Sequence, residues 1–223
     1  LVGPINFSEA WSFLRQHGFP KVNGVLADLG LSSMQIDTPE RGFSFKTDAP
    51  FDLRMNPEKG IPAYKYFDEL PVSELTRMLV DNADEPHASQ IAKALLKSKP
   101  KTTFEVAEVV RNVLKTFSPK VRAKEGDTPV RRVFQALRIE VNNEFGVLDK
   151  FLEDLPHFLQ PGARVAILTF HSGEDRRVKK SFQAGERGGV YSEVSPEPLR
   201  PSMEEQNSNS RSKSAKLRWA LRA

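Results

Sequence analysis

Residues 161–176 read Pro161-Gly162-Ala163-Arg164-Val165-Ala166-Ile167-Leu168-Thr169-Phe170-His171-Ser172-Gly173-Glu174-Asp175-Arg176. A turn signal opens the stretch, a short apolar run follows, and a polar loop with helix-start character closes it. That is the pattern of a buried strand feeding a helix. Upstream, Val22-Asn23-Gly24-Val25-Leu26-Ala27 repeats it, after a Gly18-Phe19-Pro20 break and before Asp28-Leu29-Gly30. Phe7, Ala10, Trp11 and Leu14 lie at helical spacing ahead of that run. Helix, buried strand, polar end, twice over, predicts an α/β protein with parallel strands, a class in which ligands sit at the carboxyl ends of the strands.

The texture between the two strands differs. Residues 38–62 are rich in Pro, Asp and Gly and read as loop; residues 72–80, 89–97 and 104–116 have helical spacing, and 118–128 reads as a charged linker. A helical insertion of roughly ninety residues in an α/β sheet is the simplest organisation. Its expected borders divide the chain into 1–38, 39–130 and 131–223. A long helix resumes from Arg131, with Phe134, Leu137, Val141 and Leu148 on one stripe, and Phe151–Leu159 continues it or pairs with it. Near the end, Ala215, Leu217, Trp219 and Leu221 alternate with Lys216, Arg218 and Arg222, which predicts a strand apolar inward and basic outward. Residues 196–209 read as an aperiodic connector, and no internal repeat is evident.

Composition narrows the function classes. The 223 residues contain no Cys, which excludes a disulfide scaffold, a zinc ribbon and thiol catalysis. No run approaches the ~20 apolar residues of a membrane span and no leader-like segment opens the chain, so a soluble protein of a reducing compartment, the cytoplasm, is expected. The formal charge of +4 conceals a segregation. Residues 86–138 hold twelve basic and four acidic side chains and 164–223 hold twelve and seven, whereas 1–85 hold eight and thirteen. Two basic blocks suit a polyanion, because cations that neutralise phosphates release condensed counterions; a pair of solvated helix faces is the alternative. A homodimer remains an open alternative.

Several residues could carry chemistry. Asp28 at a strand end could accept hydrogen bonds from a ribose or an amine, or could form an Asx turn. His171 could be a substrate-facing imidazole or a loop histidine held by backbone. The HSGED run has no metal-ligand spacing, and no metal is expected. Loop 40–55 alternates charges and aromatics, so Phe43 and Phe45 could stack an extruded base or plug a seam.

Six motifs occur in order: DLGLSSMQID (28–37), ERGFSF (40–45), PFDLRM (50–55), VFQALRIEVNNE (133–144), LTFHSGEDRRVK (168–179) and RSKSAKLRWALR (211–222). Together they closely resemble the RsmH/MraW family, over essentially the whole chain. The resemblance implies an S-adenosylmethionine-dependent methyltransferase acting on the N4 amine of a cytosine in 16S rRNA, near the P site of the small ribosomal subunit. It implies a Rossmann-like methyltransferase core, its first strands missing, interrupted by an all-helical substrate-recognition domain. Phe7, Asp28 and Gln35 match the family's cofactor pocket, and loop 40–55 with HSGED matches the parts that close over the cytosine. Asp52 and His171 are the expected positioning groups for the amine. Arg41, Phe43, Arg54, Lys93, Lys97, Lys99, Lys101 and Arg111 are expected to meet RNA.

The chain departs from the family's pattern in places. Gly173 replaces the Leu of FHSLEDR, Thr47–Met55 varies the FDGPLDMRM run, and Ala83-Asp84-Glu85-Pro86 stands where the family has GEER. The chain opens at Leu1, and neither a glycine-rich turn nor an acidic strand end precedes Phe7. A truncated enzyme is therefore expected, with uncovered apolar sheet surface and poor donor binding. An inactive RNA-binding relative without a donor site is the alternative.

Overall fold

The computed structural model describes residues 2–223. It divides into two compact units, residues 2–30 with Phe145–Ala223, and Leu31–Glu144. The division falls at Gly30/Leu31 and Glu144/Phe145, rather than at the expected 38/39 and 130/131.

The first unit is a mixed sheet with helices. A 3-10 turn at Phe7–Glu9 leads into helix α1 (Ala10–Gln16), then strand β1 (Val22–Asp28). The second unit contributes α2 (Ser33–Asp37), α3 (Tyr66–Glu69), α4 (Val72–Ala83), α5 (Ala88–Ser98), α6 (Thr103–Lys115), α7 (Pro119–Glu125) and α8 (Thr128–Val141). The chain continues through α9 (Glu144–Phe158), β2 (Leu159–Thr169), α10 (Ser172–Arg187), β3 (Tyr191–Val194), α11 (Met203–Ser208) and β4 (Lys216–Arg222). Among the described residues no helix is long and apolar enough to cross a membrane.

The strand order is β1-β2-β4-β3, with β1 parallel to β2 and both other pairs antiparallel. Val165, Ile167, Val178, Phe182 and Ala220 form part of a core completed by Leu152, Leu155 and Phe158 of α9. Burying each of these Val, Ile, Leu and Phe side chains contributes about 1.5–3 kcal/mol. β2 is the buried centre that its sequence predicts, but β1 is an edge strand on which Leu26 stays 75% exposed. A strand buried on both faces is the expectation; Val22, Val25 and Ala27 pack on the core, while Leu26 faces solvent.

β4 corrects a second expectation. Its period-2 pattern does make a strand, yet the face expected to point outward is the inner one. Arg218 is 3% exposed and Ala220 fully buried, because they pair with Ile167 and Val165 of β2. The guanidinium can lie there because Asp175, near the start of α10, meets it at 2.7 Å, and Lys216 reaches the same carboxylate at 3.1 Å.

The helical unit has its own core. Leu75, Met78 and Leu79 of α4, Ile91 and Leu95 of α5, Val106 and Val110 of α6, and Val133, Phe134 and Leu137 of α8 are all buried together. Their spacing of three and four residues is the apolar stripe that makes each helix amphipathic. A capping box of Thr102 and Glu105 starts α6. Two readings change here. Residues 118–128 are not a linker throughout, since Ser118 caps Val121 and Pro119 opens α7. The long stripe from Phe134 stops at Val141, where Asn142 caps α8 and Asn143 turns left-handed at φ 49°, so Leu148 belongs to a separate helix.

Candidate functional site

In the sheet unit the candidate residues gather at strand ends. Asp28 closes β1 opposite Leu168, and the Leu29 N–H continues the pairing to the Leu168 carbonyl at 3.1 Å. Because β1 and β2 are parallel, Asp28 and His171 both lie at the carboxyl edge of the sheet. Asp28 is exposed to solvent. Phe7 is 38% exposed and meets Phe151 of α9 edge-on, with ring centroids 5.3 Å apart.

His171 sits at the N-cap of α10 in extended backbone. Its ring nitrogens are shielded from water and make no hydrogen bond, and Nε2 lies 3.4 Å from a Glu174 carboxylate oxygen. The other Glu174 oxygen accepts the Phe170 N–H at 2.8 Å, which ties the strand end to the first turn of α10. Gly173 has a local reason. A Cβ there would come 2.5 Å from the Phe145 ring and 3.2 Å from His171 Nδ1, so Phe145 occupies the space that a larger residue would need. Phe145 in turn lies under Arg177, 4.0 Å from guanidinium to ring centre, a cation–π contact. Burial alone would raise the Asp175 carboxyl, but hydrogen bonds and charge from Arg218 and Lys216 outweigh it and hold the group below the usual range.

In the helical unit, loop 41–55 is braced from within. Arg54 grips Asp52 with both arms at 2.7 Å, and its backbone N–H donates to the same carboxylate at 3.1 Å. Burial pushes the Asp52 carboxyl up, but those Arg54 contacts, together with the Arg54 and Arg41 charges, bring it below its ordinary value. Arg41 donates to the carbonyls of Arg54 and Met55 at 2.8 and 2.6 Å. Asn142 closes the ring, its amide donating to the Leu53 carbonyl at 2.7 Å and its oxygen accepting the Met55 N–H at 2.6 Å. Leu53 is buried with φ 63°, a conformation that a non-glycine residue keeps only where its surroundings enforce it. Gly42, at φ 72°, allows the Pro50 and Asp52 backbone to pass where a Cβ would collide.

The remaining candidates are placed as follows. Gln35 is the N3 residue of a capping box with Ser32 at the start of α2, its side-chain oxygen accepting the Ser32 N–H at 2.9 Å. Phe43 and Phe45 pack, half-buried, on the helical core; Arg41 lies over one ring and Arg111 over the other. Arg111 is bound bidentately by Asp127 at 2.9 and 3.1 Å, and Lys99 faces Asp68 at 3.4 Å. Lys93, Lys97 and Lys101 are exposed. Phe7, Asp28 and His171 therefore belong to the sheet unit, and Gln35, Asp52 and every residue expected to meet RNA belong to the helical unit. The residues left without a role at the sequence level are Asn142 and Glu174. Asn142 follows the apolar stripe of α8 directly, a position where a polar side chain is free to reach another segment.

Residues 4–223 match the model of the MraW methylase family. Among curated relatives, the ribosomal RNA small subunit methyltransferase H 1 of Lachnoclostridium phytofermentans is 52% identical over 98% of this chain and 61% of its own length. The ribosomal RNA small subunit methyltransferase H 2 of Alkaliphilus metalliredigens is 50% identical over 98% of this chain and 64% of its own. The ribosomal RNA small subunit methyltransferase H of Crocosphaera subtropica is 45% identical over 90% and 62%. The chain thus spans a little over three fifths of the length of these relatives.

Proposed function

The chain belongs to the MraW methylase family, and from that premise we propose that it is part of an S-adenosylmethionine-dependent enzyme that methylates the N4 amine of a cytosine in 16S rRNA of the small ribosomal subunit. The carrying observation is the family match over residues 4–223, joined to relatives whose names specify small-subunit ribosomal RNA. A ribosomal substrate puts the activity in the cytoplasm.

The residues present suit the methyl donor in part. Asp28 offers an exposed carboxylate at a strand end and Phe7 an exposed ring, so Asp28 would accept from a donor hydroxyl or amine and Phe7 lie beside the adenine. Gln35 fits less directly, because its side-chain oxygen is committed to Ser32 and only its amide nitrogen is left to donate. S-adenosylmethionine, when bound, supplies an electrophilic methyl on sulfur.

A cytosine N4 amine is a weak nucleophile, its lone pair being delocalised into the ring. Rate therefore comes from alignment and from an acceptor on the amine N–H, which favours the attacking geometry. His171 is the side chain assigned to accept: its ring nitrogens make no hydrogen bond and Glu174 lies beside Nε2, and because both nitrogens are enclosed the amine reaches them only when the side chains covering them move aside. Asp52 is a positioning group of another kind, acting through the Arg54 that it holds.

The test is transfer of labelled methyl from S-adenosylmethionine to small subunits purified from cells lacking this gene, with the product nucleoside identified by mass spectrometry. N4-methylcytosine at one site is the expected product. Label on another base, or on protein, overturns the reading, and RNA binding without transfer makes the chain a binding module.

A further inference from the structure

A second run of exposed positive charge in the helical unit surrounds α7. Lys115, Lys120, Arg122, Lys124 and Arg131 are all exposed, and they fall on α7 and the chain flanking it. Glu125 accepts from Arg132 at 3.4 Å, and Asp127, gripped by Arg111, also lies in the field of Arg131 and offsets part of that charge, which leaves Lys120, Arg122 and Lys124 as the main excess. Lys115 donates to the neutral Asn112 side chain at 2.8 Å. The excess cations therefore face solvent.

No residue of α7 is buried, so this helix does not close the core. Lys120 and Lys124, one turn apart on the same face, repel each other. A helix that is mutually repulsive and contributes no core is unfavourable alone and favourable against a polyanion, where each phosphate contact releases a counterion. The alternation of Lys120, Val121, Arg122, Ala123 and Lys124 leaves no apolar face of the kind that lets a helix lie in a lipid surface.

We propose that α7 is a docking surface for the phosphate backbone of RNA, with Lys120, Arg122 and Lys124 making the contacts and Lys115 and Arg131 extending the field. The inference rests on the proposed ribosomal RNA substrate and moves the main contact away from Arg111 and Lys99, whose charges are matched within the unit.

The experiment measures binding of a fluorescein-labelled RNA hairpin of small-subunit sequence across a salt series. The triple variant K120Q/R122Q/K124Q is compared with K59Q/K65Q/R77Q, which removes the same charge from exposed sites of the same unit. For the α7 variant, affinity at about 100 mM salt falls roughly tenfold or more and the slope of log K against log salt drops by about two to three. The comparison variant keeps the parent slope. An unchanged slope in the α7 variant, an equal loss in both variants, or no RNA binding by the parent chain overturns the proposal. Equally tight binding of the parent to phosphatidylserine vesicles overturns the choice of RNA. Intact binding that depends on α7, with no methyl transferred in the assay above, overturns the enzymatic reading instead.

Discussion

The sheet unit and the helical unit each contain a motif-rich charged segment, and the two handle charge differently. In the helical unit, Arg41, Asp52, Arg54 and Asn142 bond to one another and to loop backbone, so the segment is a brace. In the sheet unit, Asp175 neutralises Arg218 and Lys216, yet Asp28 stays exposed and the His171 nitrogens stay without hydrogen bonds. A saturated network fixes shape. Groups left over beside one are the candidates for the proposed chemistry, whereas the helical unit holds exposed cations at Lys93, Lys97 and Lys101 and around α7.

The largest effect should come from breaking the sheet unit's pair. Asp175→Asn leaves the buried Arg218 without its counter-charge, which costs about 3–5 kcal/mol when a buried pair loses one partner. Both tryptophans, Trp11 and Trp219, lie in the sheet unit, so urea unfolding followed by tryptophan fluorescence reads this unit. A midpoint unchanged from the parent would mean that the pair is not a structural tie.

Gly42→Ala strikes the brace in the other unit. A Cβ at φ 72° meets the Pro50 and Asp52 backbone, and a left-handed L residue alone costs about 1–2 kcal/mol. The loss should appear in far-UV circular dichroism, which the helices dominate, and spare the tryptophan signal. A parallel loss in both signals would show the two units unfolding as one.

Acid should weaken both segments. The Asp175 and Asp52 carboxyls are held below their unfolded value near 3.9, so the stability they contribute is present above about pH 4 and disappears as pH falls through the lower folded values. Asp175→Asn should flatten the acid limb of the tryptophan-detected curve. A limb as steep as the parent's would assign the acid lability to other groups. The smallest effect belongs to K120Q/R122Q/K124Q, which touches no buried residue and should shift stability by less than about 0.5 kcal/mol.

What the sequence made legible follows from range. β2 and the helices α4, α5 and α6 depend on local apolar spacing, and their positions follow from it. β3 is four residues long and α7 alternates Lys120, Arg122 and Lys124 with Val121 and Ala123, so neither carries a helical or extended apolar stripe long enough to read. The inverted face of β4 turns on Arg218 meeting Asp175, two residues brought together only by folding. The same holds for the site. Asp28, His171 and Asp52 stand out as residue types in motifs, but whether each is free or spent depends on Glu174, Arg54 and other partners that no spacing rule supplies.

The division of labour between the units is tested most directly by single-turnover methyl transfer at saturating donor, with RNA concentration varied. His171→Ala should lower the rate constant at saturating RNA while leaving the half-saturating concentration near the parent value. K120Q/R122Q/K124Q should raise the half-saturating concentration about tenfold and preserve the maximal rate. The reverse pattern, or a His171→Ala enzyme as fast as the parent, would contradict it.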